Sequence, residues 1–323
     1  MDRLVVFVVV NYNGAAVLRP CVDSILAQRH QNLRLIIVDN HSSDHSAQGI
    51  VERYPSVEVI LLEKNSGYAK ANNIGIEAAL RLRPDYIALV NNDVELREEW
   101  LDSLMGFAED GGYDSVQSAI VAYGSQGVVD SLGIGISRNL HVYDRGHGEV
   151  LDEKGADRPL FGPCFAAALF RSDAVKDLPR AGGFLDESLI SFYEDVEWCF
   201  RANLQGLRAG LLYRPLCSHR RSFTADRIRP TKSYLIGRNY FLVIGAYLPL
   251  STLAAKAFPI LSRRGLLWAR TLRHPLSFLA FLWGSLVGIA SLPGRRLSTR
   301  RFLRERRTAL SALLQRIREG QYV

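Results

Sequence analysis

Short runs of β-branched residues alternate with amphipathic stretches through the first hundred positions. Val5 to Val10, Leu35 to Val38, Val57 to Leu62 and Tyr86 to Val90 predict four strands separated by helices, a βαβαβαβ order. The runs are apolar almost throughout instead of alternating, so both faces of their sheet must be covered. The prediction is an α/β fold with a doubly wound, mostly parallel sheet and right-handed crossovers. In such a sheet ligands bind beyond the carboxyl ends of the strands. Polar residues collect at those ends: Asn11 and Asn13, then Asp39 to Asp44, then Asn65 to Gly67, then Asn91 to Asp93.

From about 111 to 160 the chain is rich in Gly, Asp and Ser, which predicts irregular strands and a mobile loop near Arg138 to Arg158. A buried run, Phe161 to Phe170, follows. Gly182 and Gly183 open a stretch that leads to a helix from Glu194, where Val196, Cys199, Phe200, Leu204 and Leu207 recur at helical spacing and define a core face. Beyond residue 220 two weakly polar runs, Tyr240 to Ala255 and Pro275 to Pro293, stand between the basic pairs Arg263/Arg264, Arg270/Arg273, Arg295/Arg296 and Arg300/Arg301. The second run is uncharged and close to the roughly 20 residues that cross a bilayer, but its glycines, serines and terminal prolines favour a helix lying in the interface or a shallow hairpin. The pattern therefore divides the chain at 240: residues 1–240 form the α/β domain and residues 241–323 a basic, helical, membrane-associating extension.

Charge sharpens that division. The net charge is +7, yet residues up to 200 hold 17 Lys and Arg against 30 Asp and Glu, and the remainder holds 23 against 3. The basic part suits anionic lipid headgroups, at about 1 kcal/mol per Lys or Arg near the surface. The first ten residues run into a polar turn without a small-residue cleavage site and predict a strand, not a secretory signal. Four cysteines, Cys21, Cys164, Cys199 and Cys217, match neither a disulfide framework nor zinc spacing. A reducing compartment follows, and the expected location is the cytoplasmic face of the cell membrane, peripheral or monotopic.

The strand-end loops supply candidate chemistry. Asp39 and Asp44 either accept hydrogen bonds from a nucleobase or ribose, or cap and solvate their turn. Asn65, Gly67 and Asn72 border a Gly turn and helix start that suits a phosphate or is an ordinary capped turn; the spacing is not that of a P-loop. Asp93 is placed to ligate Mg²⁺ or Mn²⁺ together with substrate phosphates, or to cap the helix that follows. In Glu194-Asp195-Val196-Glu197 adjacent acids are not expected all to turn inward. Some serve the helix N-terminus, and Asp195 is the candidate general base. His219 is a candidate metal ligand, diphosphate donor or structural residue, and Arg220, Arg221, Arg238 and Asn239 are candidate diphosphate partners or part of the basic face.

Taken in order, Val9-Val10-Asn11-Tyr12-Asn13-Gly14, Ile37-Val38-Asp39-Asn40 with Ser43-Asp44, Asn65-Ser66-Gly67-Tyr68 with Asn72-Asn73, Leu89-Val90-Asn91-Asn92-Asp93 and Glu194-Asp195-Val196-Glu197 resemble the signature of family 2 glycosyltransferases, over roughly residues 4 to 240. The resemblance is closest to the rhamnosyltransferase-like branch that builds bacterial surface polysaccharides. It implies a GT-A fold, a nucleoside diphosphate sugar donor (dTDP- or UDP-sugar), Mg²⁺ or Mn²⁺, and inversion at the anomeric carbon, with a glycan or lipid-linked acceptor. By the same resemblance Asp39 holds the base with Asn11 and Asn13 nearby and Asp44 helping. Asn65, Gly67 and Asn72 shape the diphosphate and sugar pocket. Asn91 and Asp93 occupy the outer positions of the Asp-x-Asp motif, with Asn91 replacing the first acid, which leaves one carboxylate for the metal and gives His219 more weight as a candidate ligand. Asp195 is the expected base, while Gly162 to Ala166, including Cys164, line the sugar and acceptor site along with Glu194 and Arg238. A sugar nucleotidyltransferase would share the sheet but should carry a Gly-rich phosphate loop with a basic residue near the N-terminus, where Gly14 stands alone. A non-enzymatic lipid- or nucleic-acid-binding role rests on the basic tail. Nucleic acid is disfavoured, because no recognised RNA motif interleaves aromatic and basic residues and the acidic rim would repel phosphate.

Overall fold

The computed structural model describes residues 3–152, 154–176, 178, 183–221, 229–271 and 274–323; Gly182 and Arg273 lie outside these. The four predicted strands form as β1 (Val5–Asn11), β2 (Leu33–Asp39), β3 (Glu58–Leu61) and β4 (Tyr86–Asn91). Helices α1 (Leu18–Leu26), α2 (Ser46–Arg53) and α3 (Tyr68–Arg81) connect them. All four are parallel, in the order β4-β1-β2-β3. Alternate residues of β1 enter different cores. Val6 and Val8 pack with α3 on one face, and Val5, Phe7 and Val9 pack with α1 on the other, which is why the run is apolar throughout.

The sheet then widens with strands of both senses. β5 (Val94–Leu96) and α4 (Trp100–Gly111) precede β6 (Ser115–Ala122), a regular buried strand. Short strands follow, β7 (Val129–Ser131), β8 (Ile134–Ile136), β9 (Val142–Asp144) and β10 (Arg158–Leu160), and then β11 (Ala167–Arg171) and α5 (Ser172–Lys176). β11 lies antiparallel between β4 and β6, and β12 (Ala209–His219) runs parallel to β6. The last residue of β12 pairs with the first of β5, so His219 arrives beside Asp93 from far along the chain.

The segment expected to be a mobile loop, Arg138 to Arg158, is instead tied down. β8 and β9 form a hairpin, Arg138 donates to the Glu319 carbonyl (3.0 Å), and Arg145, buried, donates to a Val323 oxygen (2.9 Å). Glycines and polar residues there serve tight turns whose anchors lie almost two hundred positions away.

Helix α6 (Glu194–Gln205) begins as predicted, but its burial is not confined to one face. Glu197 is fully buried and paired with Arg201 (2.8 Å), which also donates to the carbonyls of Leu178 and Phe184. Tyr247 donates to Glu197 from α7 (Arg229–Tyr247). The division at 240 falls inside α7, which runs unbroken through it and buries Tyr240, Val243, Ile244 and Tyr247 in the same core as β1 and α6. The remaining helices are α8 (Leu250–Ala255), α9 (Ala257–Thr271), α10 (Pro275–Ala290), α11 (Leu292–Glu305) and α12 (Arg307–Glu319). Beyond α12, Tyr322 meets Phe161 edge to face and donates to Asn203, closing the helical part against the sheet domain. All four cysteines are free.

Removing one member of a buried ion pair leaves the other charge uncompensated, at a cost of about 3–5 kcal/mol. Glu197→Ala should therefore lower unfolding free energy by about that amount in urea denaturation. A loss under about 1 kcal/mol, the level of an exposed pair, would deny the pair its structural weight.

Candidate active site

Side chains knit the carboxyl ends of the strands together. Asn11, fully buried, donates to Asp39 (2.8 Å) and Ser46 Oγ (2.8 Å) and accepts from Asn92 (2.9 Å). Asp39 accepts in addition from the Ser42 amide and hydroxyl, and Asn13 accepts from the Ser43 amide. Asp44 accepts from Ala15 N, Ser46 N and Ser46 Oγ. Partial burial pushes its pKa up, but these hydrogen bonds outweigh it and leave the group below the usual carboxylate range.

Above this scaffold lies a cavity of about 700 Å³. Asn65, Gly67, Asn91 and Asp93 border it from the strand ends, Cys164 from the turn before β11, and Glu194 and Asp195 from α6. Thr231, Lys232, Leu235 and Ile236 of α7 form its far wall. Asn11, Asn13, Asp39, Asp44 and Asn72 are not among its bordering residues. Four of the sequence candidates make contacts within the protein. Asn11 ties strands together, and Asn72 turns back to the Tyr68 carbonyl (3.0 Å). Gly162 is a packing glycine, where a Cβ would stand 2.0 Å from Cys199 Sγ. Arg238 is committed to the Ser188 carbonyl (2.9 Å) and Asn239. The expectation that adjacent acids would not all turn inward also fails: Glu194 and Asp195 both reach the cavity while Glu197 is buried in the core.

A chain of charges runs along one wall. His219 Nε2 meets Asp93 (3.0 Å), its Nδ1 meets Asp130 of β7 (2.8 Å), and Asp130 in turn binds Arg221 (2.6 Å), which also pairs with Asp144. Burial disfavours the imidazolium of His219, yet hydrogen bonds to Asp130 and Asp93 outweigh burial and raise its pKa to about 9. Across the cavity burial raises both carboxyls of α6, Asp195 to about 7 with the charge of Asp144 adding, and Glu194 to about 8 with that of Asp195 adding. One Glu194 oxygen is buried without a hydrogen-bond partner, as suits a protonated or ligand-binding group.

Among the described residues no three His, Cys, Asp or Glu side chains gather into a ready metal site. Asp93 and His219 nevertheless offer one oxygen and one nitrogen side by side, a set that Mn²⁺ or Mg²⁺ can use if substrate oxygens and water complete it. Asp130 grips the far imidazole nitrogen, as carboxylates do behind metal-ligating histidines. The residues fit a divalent cation seated between Asp93 and His219.

Delivery of the α6 acids depends on a strained turn. Ile190, Phe192 and Tyr193 have φ of 67°, 67° and 71°, a conformation non-glycine residues avoid, at about 1–3 kcal/mol each. Asn239 Nδ2, fully buried on α7, lies within hydrogen-bond distance of the carbonyls of Leu189 (2.8 Å), Ser191 (2.9 Å) and Phe192 (2.8 Å). From the other side Ala69 N donates to the Ile190 carbonyl (2.9 Å) and Tyr68 N to Ser191 Oγ (3.2 Å). Gly67 (φ 84°) permits that approach, since a Cβ there would stand 2.8 Å from the Ile190 oxygen.

Residue typing alone missed Asp130, Asp144, Tyr12 and Tyr68. Tyr12 sits between the two asparagines that carried the pattern, and Tyr68 donates to Asn91 (2.9 Å). Asp130 and Asp144 lie in short strands with no motif, and only the pairing of β7 with β6 gives Asp130 its place.

The sequence model described as Glycosyl transferase family 2 matches residues 6–178. The glycosyltransferase GlyG of Streptococcus pneumoniae serotype 4 is 34% identical over 107 residues, 32% of this chain and 35% of GlyG. The pre-mycofactocin glycosyltransferase of Mycobacterium tuberculosis is 32% identical over 208 residues, 63% of this chain and 39% of that protein. The chain thus spans about a third of the length of the first relatives it matches, between 30% and 38%. In fold it is similar to the crystal structure of Staphylococcus aureus TarS 1–349, with a TM-score of 0.55 at 17% identity, covering 97% of this chain and 91% of that one. A second structure of that fragment is in complex with UDP (TM-score 0.50, 16% identity, covering 92% and 91%).

Asn239→Leu keeps the side-chain size and removes the donor. Hydrogen exchange across residues 189–195 should accelerate and stability should fall by about 1–3 kcal/mol, the cost of carbonyls left unpaired. Unchanged exchange in that segment would deny Asn239 its hold on the turn.

Proposed function

The chain belongs to glycosyl transferase family 2, and from that premise we propose that it transfers a hexosyl group from a nucleoside diphosphate sugar to a hydroxyl of a glycan or lipid-linked acceptor, with inversion at the anomeric carbon. The observation that carries this reading is the placing of Asp195 and the Asp93–His219 pair on the borders of one cavity. Its volume, about 700 Å³, suits a nucleotide sugar. A dTDP- or UDP-sugar is the proposed donor. The UDP complex of the TarS fragment supports a uridine nucleotide, and rhamnose as the sugar rests on the sequence resemblance alone.

Asp195 acts as the base. Its pKa near 7 lets it ionise in neutral solution and still take the proton of an acceptor hydroxyl as that oxygen attacks. One such base suffices for a single inverting displacement, whereas a retaining hydrolase needs a second carboxyl as nucleophile about 5–5.5 Å away. Glu194, whose pKa burial and the Asp195 charge raise to about 8, can donate a hydrogen bond to a sugar or acceptor oxygen when protonated. Asp93 and His219 would hold Mg²⁺ or Mn²⁺, which when bound supplies positive charge to the departing diphosphate. Asn91 presents an amide next to that position, and Tyr68 holds its orientation. The Arg221 guanidinium borders the same space, kept in place by Asp130 and Asp144.

Asp195→Asn should reduce turnover by about 10²–10⁴-fold while donor affinity stays close to that of the parent protein; near-normal turnover would remove the base assignment. In the parent protein the rate should climb with pH and level off above about 7, where Asp195 is ionised, and a flat profile through that range would exclude it. Folding raises this pKa, so stability is lost as pH rises from the unfolded carboxylate range through about 7. Thermal melts of Asp195→Asn should show a smaller loss over that window. Asp93→Ala should abolish the gain in UDP affinity that Mn²⁺ gives in calorimetric titration; an equal gain in both proteins would place the cation elsewhere.

A further inference from the structure

Helix α10 is built with small residues and Phe281 inward and five large apolar residues outward. Its buried positions are Ser277, Phe281, Gly284, Ser285 and Gly288. The two glycines let α7 approach so closely that a Cβ would stand 2.1 Å from the Tyr234 carbonyl and 2.5 Å from that of Arg238. On the opposite side Leu276, Leu279, Trp283, Leu286 and Ile289 follow helical spacing and stand 45–72% exposed. Phe258, Leu261 and Leu266 of the adjoining α9 are exposed as well. A helix packed for water alone would turn these faces round, because burying large apolar side chains is what stabilises a water-soluble core.

Charge identifies what covers the outer face. From residue 229 to the C-terminus the chain has 17 Lys and Arg against Glu305 and Glu319. Arg263, Arg300, Arg301 and Arg304 are exposed on α9 and α11. A second copy of this chain would bring like charges together, while an anionic bilayer offers hydrocarbon for the stripe and phosphates for the arginines. Trp283 within the stripe suits the boundary between the two. No single helix among the described residues is long and apolar enough to cross a membrane, though α10 and α11 together pass by length and composition with a 51° bend.

The geometry points to a docking surface: the outer face of α10, continued by α9, lies in the headgroup boundary of an anionic lipid bilayer. α7 is then gripped by the docked helix on one side and walls the cavity on the other, so that two helices separate lipid from the candidate active site. This placement stands or falls independently of the reaction proposed for the cavity.

The full chain should sediment with phosphatidylcholine vesicles containing phosphatidylglycerol, and far less with phosphatidylcholine alone or at high salt. The triple variant Leu279→Glu, Trp283→Glu, Leu286→Glu should stay in the supernatant with an unchanged melting temperature. In a Trp268→Phe background brominated lipid should quench the fluorescence, and adding Trp283→Phe should remove most of that quenching; this reading holds even if the triple variant misfolds. Failure of the parent protein to bind the anionic vesicles, or quenching retained once Trp283→Phe is added, would overturn the proposal. So would self-association without lipid that the triple variant abolishes, which would assign the face to a second copy.

Discussion

Between Ile190 and Tyr193 the backbone takes up left-handed geometry at three side-chain-bearing residues, and one amide, that of Asn239, lies against the carbonyls that result. Each such residue disfavours the turn by about 1–3 kcal/mol and each hydrogen bond returns about 0.5–1.5 kcal/mol. The turn therefore also needs the clasp from α3 through Ala69, Tyr68 and Gly67. With both in place α6 starts where Glu194 and Asp195 meet the cavity. Without them an unstrained chain would swing these carboxyls elsewhere. Asn239 belongs to the helical part, so the candidate chemistry of the sheet domain is completed by a helix beyond it.

Two treatments of buried charge divide the cavity. Along one wall acids and bases alternate, Asp93, His219, Asp130, Arg221, Asp144, so each charge has an opposite neighbour. On the α6 side neither Glu194 nor Asp195 has a direct ion-pair partner among the described residues, and burial, with the charges of Asp144 on Asp195 and of Asp195 on Glu194, lifts both pKa values toward neutrality. The first wall suits a diphosphate with its cation; the second suits proton transfer near neutral pH. The same helix shows a third case three residues on, where Glu197 is neutralised by Arg201 and serves the core.

α10 carries the logic of the fold to its outer edge. Glycines that would weaken a helix in water bring it against α7 within backbone contact and leave bulky apolar residues on the outer face, the face proposed to meet lipid. Because α7 starts at the cavity wall and ends in the core, the boundary between an enzyme domain and an extension, drawn at 240 from composition, has no counterpart in the packing.

The sequence by itself determined what is periodic or terminal. Apolar runs defined β1 to β4 and the covered sheet, and Asp93 and Asp195 were legible because strand ends and helix starts in such a sheet meet on one rim. It did not distinguish Arg238 from Asn239, adjacent on one helix, of which one amide pins a turn and the other side chain only braces it. Nor did it mark Asp130, whose role exists only because β7 and β12 both pair with β6 and so bring it to His219, 89 positions away. The face that α10 turns outward was equally hidden, since its apolar residues surround the helix and only the glycines' fit to α7 selects a side. Local pattern reports how each residue relates to its own element, whereas partnership between buried polar groups depends on which elements meet, and that is fixed by packing of the whole chain.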